Sequence, residues 1–89
     1  MDKPDRMLLI CGKMCMPCKQ LKTWLDENGL EIDTIFGEDN LDLCRKYQVR
    51  QTPTLVLIED PKTDDGYEAH LTYSGYEQIK EYLESIYKL

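Results

Sequence analysis

Three of the chain's four cysteines lie within residues 11–18, which read CGKMCMPC. Cysteine sulfur at such spacings performs three kinds of chemistry: disulfide exchange by a dithiol, structural binding of zinc, and ligation of an iron–sulfur cluster. Cys15 and Cys18 are three residues apart. On the first turn of a helix their Cα atoms would come within the range of about 4.4–6.8 Å that a disulfide requires. This pair therefore predicts a redox dithiol that closes and opens a disulfide without moving the fold.

The two cysteines of this dithiol are expected to have different roles. Cys15 would stand at the N-terminus of a helix, where unpaired N–H groups and the helix dipole lower the pKa of a thiol from roughly 8.5 toward neutrality. Lys13 and Lys19 would add modest, screened positive charge. Cys18 would lie one turn into the helix and face the core. We therefore assign Cys15 as the nucleophile and Cys18 as the resolving thiol that attacks the mixed disulfide.

Two metal-binding interpretations use the same cysteines. A zinc site would need Cys11, Cys15, Cys18 and Cys44, yet structural zinc sites draw paired ligands from two knuckles and Cys44 stands alone. The CxxxCxxC spacing is also that of radical-SAM enzymes, whose large partial barrel does not fit into 89 residues. We predict no metal ligand and keep a non-enzymatic redox sensor or zinc-binding module as the alternative function.

The hydropathy pattern predicts four strands around this motif. Continuous apolar runs at residues 7–11 and 54–58 are typical of strands buried on both faces. Residues 30–36 give a weaker strand signal, and residues 67–73 alternate as expected of an edge strand with one wet face. The turn-forming stretch 60–66 between the last two strands predicts a hairpin.

Three helices complete the predicted order βαβαββα. The first carries Cys18, Leu21 and Leu25 on one face, and the last is an amphipathic helix near the C-terminus. Capping and stop residues mark where these helices begin and end. They are Pro17 and Gly29, then Asp39 or Asn40 and Tyr47, and finally Ser74 with Glu77 as a capping box.

Size and charge narrow the range of partners. Eighty-nine residues suffice for one domain, residues 1–89, and a net charge of −6 would repel nucleic acid and anionic membranes. Residues 1–6 are charged and lack the apolar core of a secretion signal. We expect a cytoplasmic location, where a tight CxxC is more often catalytic or metal-binding than a permanent bridge.

The CxxC at a strand-to-helix junction, followed about 35 residues later by YQVRQTPTLVLI, resembles the thioredoxin superfamily. The resemblance implies an α/β fold: a four-stranded mixed sheet in the order β2-β1-β3-β4 with three helices on both faces. It also implies that Pro53 is a cis-proline facing the dithiol, where its lack of an N–H helps keep metal from capping the thiols. The backbone of Thr52 would pair with a substrate strand. The residues predicted to bind substrate are Met16, Pro17, Thr52, Pro53, Gly75 and Tyr76.

The length, and the start directly on the first core strand, resemble glutaredoxins in particular. The SGY turn at 74–76 is similar to that of the glutaredoxin-like hydrogen donors of ribonucleotide reductase. The resemblance implies a monomeric oxidoreductase that reduces a protein disulfide, such as that of ribonucleotide reductase, and is recycled by thioredoxin reductase or glutathione. The resemblance implies no cofactor besides the redox-active cysteine pair and the possible reductant glutathione. Leu9 stands where thioredoxins have a buried acid and Met14 where they have tryptophan, so another group or water must move the proton of Cys18.

The other residues with chemical potential have structural interpretations. Cys11 is expected to be a small buried hydrophobe, with a regulatory disulfide as the alternative. Cys44 is expected in the core, His70 on the surface and Trp24 at the sheet margin. The carboxylates of residues 59–65 are most simply a solvated loop and lack the EF-hand spacing of a calcium site.

Overall fold

A computed structural model describes residues 3–61 and 66–89 of the chain. Within them the order of elements is βαβαββα, as predicted. The strands are β1 (Arg6–Cys11), β2 (Asp33–Phe36), β3 (Thr54–Glu59) and β4 (Ala69–Ser74). The helices are α1 (Met16–Glu27), α2 (Leu41–Lys46) and α3 (Tyr76–Tyr87), and a 3₁₀ turn, Gly37–Asp39, stands between β2 and α2. No helix of this described part is long and apolar enough to cross a membrane.

The sheet confirms the predicted order β2-β1-β3-β4. The two central strands are the continuous apolar runs; β1 is parallel to β2 and antiparallel to β3, and β4 is antiparallel to β3. Cys11 pairs with Phe36, so β1 and β2 end side by side. The loop that follows β1 therefore lies beside the 3₁₀ turn that follows β2, which places the cysteine motif at this edge.

Each face of the sheet carries its own apolar cluster. The larger cluster joins β1 and β3 to α1 and α3, and its fully buried members include Leu9, Leu21 and Leu83. The smaller one, around Ile10, Val56 and Tyr47, lies on the other face and includes partly buried residues of α2. Full burial of a leucine contributes about 1.5–3 kcal/mol, so the larger cluster is the main support of α1 and its cysteines.

The ends of α1 follow the sequence expectation. Gly29 has a φ of +65° after the last turn, and the Leu30 N–H donates to the Leu25 carbonyl at 2.9 Å, which ends the helix. Asn28 donates its side-chain amide to the Trp24 carbonyl. Trp24 is partly buried and packs against the larger cluster. The C-terminus of α1, the end far from the cysteines, is thus capped by hydrogen bonds between neighbouring residues.

Two predicted caps are wrong. Asn40 occupies the N-cap position of α2, but its side chain donates to the Phe36 carbonyl at 2.9 Å and makes no cap bond. The predicted box of Ser74 with Glu77 is absent, because α3 begins one residue later with Gly75 at the N-cap and no side-chain cap bond. The Ser74 hydroxyl lies 3.2 Å from that of Thr54 instead. In both cases a tertiary or turn partner takes the side chain that local preference assigns to the helix.

The last strand is at the sheet edge as predicted, but it starts at Ala69, and its apolar phase is not covered as alternation suggests. Leu71 is 66% exposed and Tyr67 93% exposed, whereas Tyr73 is partly buried and stacks on Tyr82 at 4.7 Å. Helix α3 therefore covers the Tyr73 end of this face only. His70 is exposed, as expected. Of the predicted hairpin turn and acidic loop, residues 62–65 lie outside the described residues.

A polar network joins this edge strand region to its neighbours. Glu68 accepts a hydrogen bond from the Tyr47 hydroxyl at 3.0 Å and pairs with Lys46 at 3.2 Å and Arg6 at 3.0 Å. The Lys46 ammonium and the Tyr47 hydroxyl lower the pKa of Glu68. This network lies on the side of the sheet covered by α2, away from the cysteine motif.

Candidate active site

Cys15 and Cys18 form a disulfide at the start of α1, with their Cα atoms 5.2 Å apart. Cys15 is the N-cap residue, in an extended conformation, and its sulfur accepts a hydrogen bond from the Cys18 N–H at 3.2 Å. A cap side chain satisfies one of the unpaired N–H groups of the first helical turn. Here that acceptor is sulfur, so after reduction the same N–H faces the thiolate of Cys15 and stabilises it.

The two sulfurs differ in their access to solvent. Cys18 is 2% exposed and lies on the α1 face that also buries Leu21 and Leu25, whereas Cys15 is partly exposed. Pro17 stands in the first turn of the helix, where its missing N–H leaves no hydrogen bond unmade. Cys15 is therefore the sulfur that is open to solvent, which is the arrangement that the predicted division of roles requires.

The Thr52–Pro53 segment lies directly beside Cys15. The peptide bond between the two residues is cis, and Pro53 is buried. A methyl group placed on Gly12 would lie 3.0 Å from the Thr52 hydroxyl oxygen and 3.3 Å from the Cβ of Cys15. Gly12 therefore allows the close approach of Thr52 to the dithiol. The structure thus brings together three of the predicted site residues: Cys15, Thr52 and Pro53.

Gly75 connects α3 to the same segment. Its N–H donates to the Pro53 carbonyl at 2.9 Å, so the turn before α3 is joined to the proline loop. Tyr76 follows as the first residue of α3 and packs, partly buried, against the larger apolar cluster. Met16 is 65% exposed beside the disulfide. All six predicted substrate-binding residues thus lie on the elements that surround the cysteine pair.

Replacing Gly75 with alanine should lower the free energy of unfolding by about 1–3 kcal/mol. Gly75 has φ +91° and ψ 150°, a conformation open essentially to glycine alone. No atom lies within 4 Å of the added methyl group, so the cost comes from the backbone and not from a clash. Urea denaturation measures the difference. Ser85→Ala, on the exposed side of α3, is the control and should change stability by less than about 0.5 kcal/mol; an equal effect of both variants would contradict this account.

A groove of about 440 Å³ opens beside Cys15. It runs between the loop after β1, the 3₁₀ turn, α2 and the segment that leads into β3. Met14, at its rim, is 96% exposed, and Leu41 is 58% exposed. Its remaining lining residues are Gly12, Gly37, Glu38, Cys44, Val49, Arg50, Gln51 and Thr52.

No protein-family model matches the sequence, and no curated protein matches it either. Solved structures do match. A thioredoxin from Thermus thermophilus has a TM-score of 0.66 and 22% identity over 92% of this chain and 70% of its own length. The germline-specific thioredoxin Deadhead of Drosophila melanogaster has a TM-score of 0.64 and 21% identity over 99% of this chain and 82% of its own. A Fasciola hepatica thioredoxin has a TM-score of 0.59 and 24% identity, covering 96% and 82%.

The chain has a thioredoxin-like fold. The predicted fold class is thereby confirmed. These neighbours are thioredoxins, so the finer resemblance to glutaredoxin-like proteins stays a prediction. At this level of identity the likeness is one of architecture, and it assigns no chemistry to the site.

Sequence reasoning missed two residues beside the cysteine motif, Glu38 and Asp39. The Glu38 carboxylate accepts a hydrogen bond from the Lys13 N–H at 2.9 Å, and Asp39 pairs with the Lys13 ammonium at 3.1 Å. The hydrogen bond from the Lys13 backbone lowers the pKa of Glu38. The expected contribution of Lys13 to the stability of the Cys15 thiolate is therefore offset by its acidic partners.

The other two cysteines lie on opposite faces of the thioredoxin-like sheet. Cys11 is fully buried in the larger cluster, and burial raises the pKa of its thiol. Cys44 packs against the smaller cluster, as predicted, but is only partly buried. Its sulfur lies 3.7 Å from the Gly37 carbonyl oxygen, and the residue lines the groove. The sheet separates the two thiols, so these residues do not converge on one four-thiolate centre.

Leu9 lies fully buried in the cluster that contains Cys18. Within residues 3–61 and 66–89 no carboxylate is buried, and Thr54 is the buried polar residue, with its hydroxyl bonded to the Gln51 carbonyl at 2.6 Å. The fold therefore places Cys18, the cysteine predicted to resolve the mixed disulfide, in apolar surroundings.

Proposed function

We propose that this protein is a thiol–disulfide oxidoreductase that reduces disulfides in protein substrates. The observation that carries the proposal is the Cys15–Cys18 disulfide at the N-terminus of α1, with the Cys15 sulfur accepting the Cys18 N–H. A buried structural bridge would not need one sulfur at a helix cap and at the rim of a groove. A reactive cysteine needs both, because its thiolate must be stabilised and must be reached.

The reaction runs in two exchange steps that balance in atoms and electrons. The Cys15 thiolate attacks one sulfur of the substrate disulfide, forms a mixed disulfide, and releases the other substrate sulfur as a thiolate, which takes up a proton. Cys18 then loses its proton and attacks the Cys15 sulfur, which forms the Cys15–Cys18 disulfide and releases the second substrate thiol. The substrate gains two electrons from the two cysteines and two protons, one from Cys18 and one from the solvent, which had taken up the Cys15 proton when the thiolate formed.

The disulfide form must be reduced again before the next cycle. We propose thioredoxin reductase or glutathione as the electron donor, a protein disulfide such as that of ribonucleotide reductase as the acceptor, and the cytoplasm as the compartment. The exposed residues Met14, Met16 and Leu41 around the sulfur support a protein substrate, because they offer apolar contact next to Cys15. The cysteine pair is the redox centre, and we propose that the protein works as a monomer without a further cofactor.

A coupled insulin-reduction assay tests this function. We expect NADPH consumption with insulin in the presence of either thioredoxin reductase or glutathione with glutathione reductase, and the more active donor identifies the recycling system. The same preparation, purified without chelator, is assayed for bound zinc. No turnover with either donor would refute the reductase, and zinc retained in stoichiometric amount by an inactive protein would favour the metal-binding module.

A further inference from the structure

The loop that carries the reactive cysteine is held from one side by the 3₁₀ turn. Glu38 accepts the Lys13 N–H at 2.9 Å, and Asp39 binds the Lys13 ammonium at 3.1 Å. Lys13 precedes Cys15 by two residues. One residue of the chain is thus held through its backbone and through its side chain by two adjacent acids, which we call the acidic clamp. Since β1 and β2 end side by side, the clamp is built into the sheet register.

The clamp also places negative charge near the sulfur. A methyl group built on Gly12, the residue before Lys13, lies 3.3 Å from the Cys15 Cβ. The Glu38 carboxylate bound to the Lys13 N–H therefore lies within roughly 12 Å of the Cys15 sulfur, a distance comparable to the Debye length of about 10 Å at 0.1 M salt. Glu38 also lines the groove onto which Cys15 opens. With Lys13, the clamp has one positive and two negative charges and therefore a net charge of −1.

Other charged or ionisable groups lie on the elements that neighbour Cys15. Lys19 is exposed on α1, and Arg50 lines the opposite wall of the groove. On the α3 side stands Tyr76, with the Lys80 ammonium 5.8 Å from the centre of its ring. These cations and the helix N-terminus favour the thiolate, whereas the clamp opposes it. Glu38 is the charged group of the clamp that is fixed by a backbone N–H, so its charge stays in place when surface side chains move.

We propose that Glu38 is a positioning residue of the dithiol: it holds the Cys15 loop through the Lys13 N–H and keeps a fixed negative charge beside the sulfur. The charge disfavours the Cys15 thiolate of the reduced protein and has little effect on the neutral disulfide. A less stable reduced form gives up its electrons more readily. The clamp therefore makes the protein a stronger reductant. This inference extends the proposed function, and it depends on that function only for the benefit that a stronger reductant would bring.

The test is the equilibrium of the full chain with glutathione, in which the reduced protein and oxidised glutathione give the protein disulfide and two reduced glutathiones. Glu38→Gln keeps an oxygen acceptor for the Lys13 N–H and removes the charge. It should lower this equilibrium constant about threefold at low salt, which corresponds to about 14 mV in a two-electron couple. In 1 M KCl, where the Debye length is about 3 Å, the difference should vanish.

Three further variants separate charge from structure. Glu38→Ala should shift the equilibrium equally but also lose the hydrogen-exchange protection of the Lys13 amide, which Glu38→Gln retains. Asp39→Asn, which frees the Lys13 ammonium, should shift it in the same direction. Glu31→Gln makes the same charge change on the exposed turn after α1, at the far end of a helix about 18 Å long, and should leave the equilibrium unchanged.

A shift with Glu38→Gln no larger than that with Glu31→Gln would overturn the proposal, as would a shift that persists in 1 M KCl. The measurement does not depend on enzymatic turnover. A salt-sensitive shift without insulin reduction would refute the proposed function and leave the role of Glu38 intact. Insulin reduction with no shift in the equilibrium would support the proposed function and refute the role of Glu38.

Discussion

Cys15→Ser should abolish insulin reduction, with a loss of turnover of about a thousandfold or more. The reason is chemical: a serine hydroxyl at the N-cap can still accept the Cys18 N–H, but it cannot attack a disulfide. The variant should therefore keep its fold and its unfolding free energy to within about 1 kcal/mol of the reduced wild-type protein. Turnover in the coupled assay and urea denaturation under reducing conditions measure the two quantities.

Cys18→Ser should stop the same reaction at a different step. Cys15 still attacks, but no second sulfur resolves the mixed disulfide, so one substrate molecule per protein accumulates as a covalent adduct that mass spectrometry detects. Cys11→Ala is the matched control, since Cys11 is fully buried and lies outside the groove; it should retain turnover. Adducts that form on Cys18 in the Cys15→Ser protein, or full activity of either serine variant, would contradict the assigned roles.

Leu9→Asp should lower the free energy of unfolding at neutral pH by about 3–5 kcal/mol. Leu9 is fully buried among the apolar side chains of the larger cluster. The substitution therefore removes core packing and buries a carboxylate that has no partner. Burial raises the pKa of such a group above its unfolded value of about 3.9. The variant is then most stable below that value and loses stability as the pH rises through the pKa of the folded state.

Leu9→Asn is the control for Leu9→Asp, because asparagine has the same shape as aspartate and does not ionise. Urea denaturation of both variants between pH 4 and pH 8 should show a growing difference, with the aspartate variant weaker at high pH. Parallel curves would mean that the introduced carboxylate reaches water or a cation. In that case the interior around Cys18 is less sealed than its 2% exposure indicates.

The positions of the strands along the chain and of the dithiol were predictable, because they depend on signals within a few residues of each other, whereas the order of the strands in the sheet was implied by the resemblance to the thioredoxin superfamily. Two apolar runs identify the central strands, and Pro17 with Gly29 bounds the first helix. The acidic clamp was not predictable in this way. Glu38 and Lys13 are 25 residues apart, and their contact depends on the register by which β1 and β2 end together.

The wrong caps have a similar origin. Ser74 followed by Glu77 satisfies the local rule for a capping box, but the Ser74 hydroxyl lies beside Thr54 on the neighbouring strand and the chain turns through Gly75. Alternation in the last strand likewise predicts an inward face without telling how far α3 covers it, which leaves Leu71 exposed. Periodicity identifies which residues share a side of an element, and only packing decides which of them are covered.

The contact between Lys3 and Tyr87, with the ammonium 4.3 Å from the ring centre, brings the first and last described segments together. β1 runs from there toward the cysteines, and α3 starts beside them and runs about 18 Å away. A tether attached at either of these segments would therefore leave the sulfur facing outward. The domain is therefore suited to immobilisation on an electrode or bead through the end where these two segments meet. Circular permutation that joins the two segments is also expected to be tolerated.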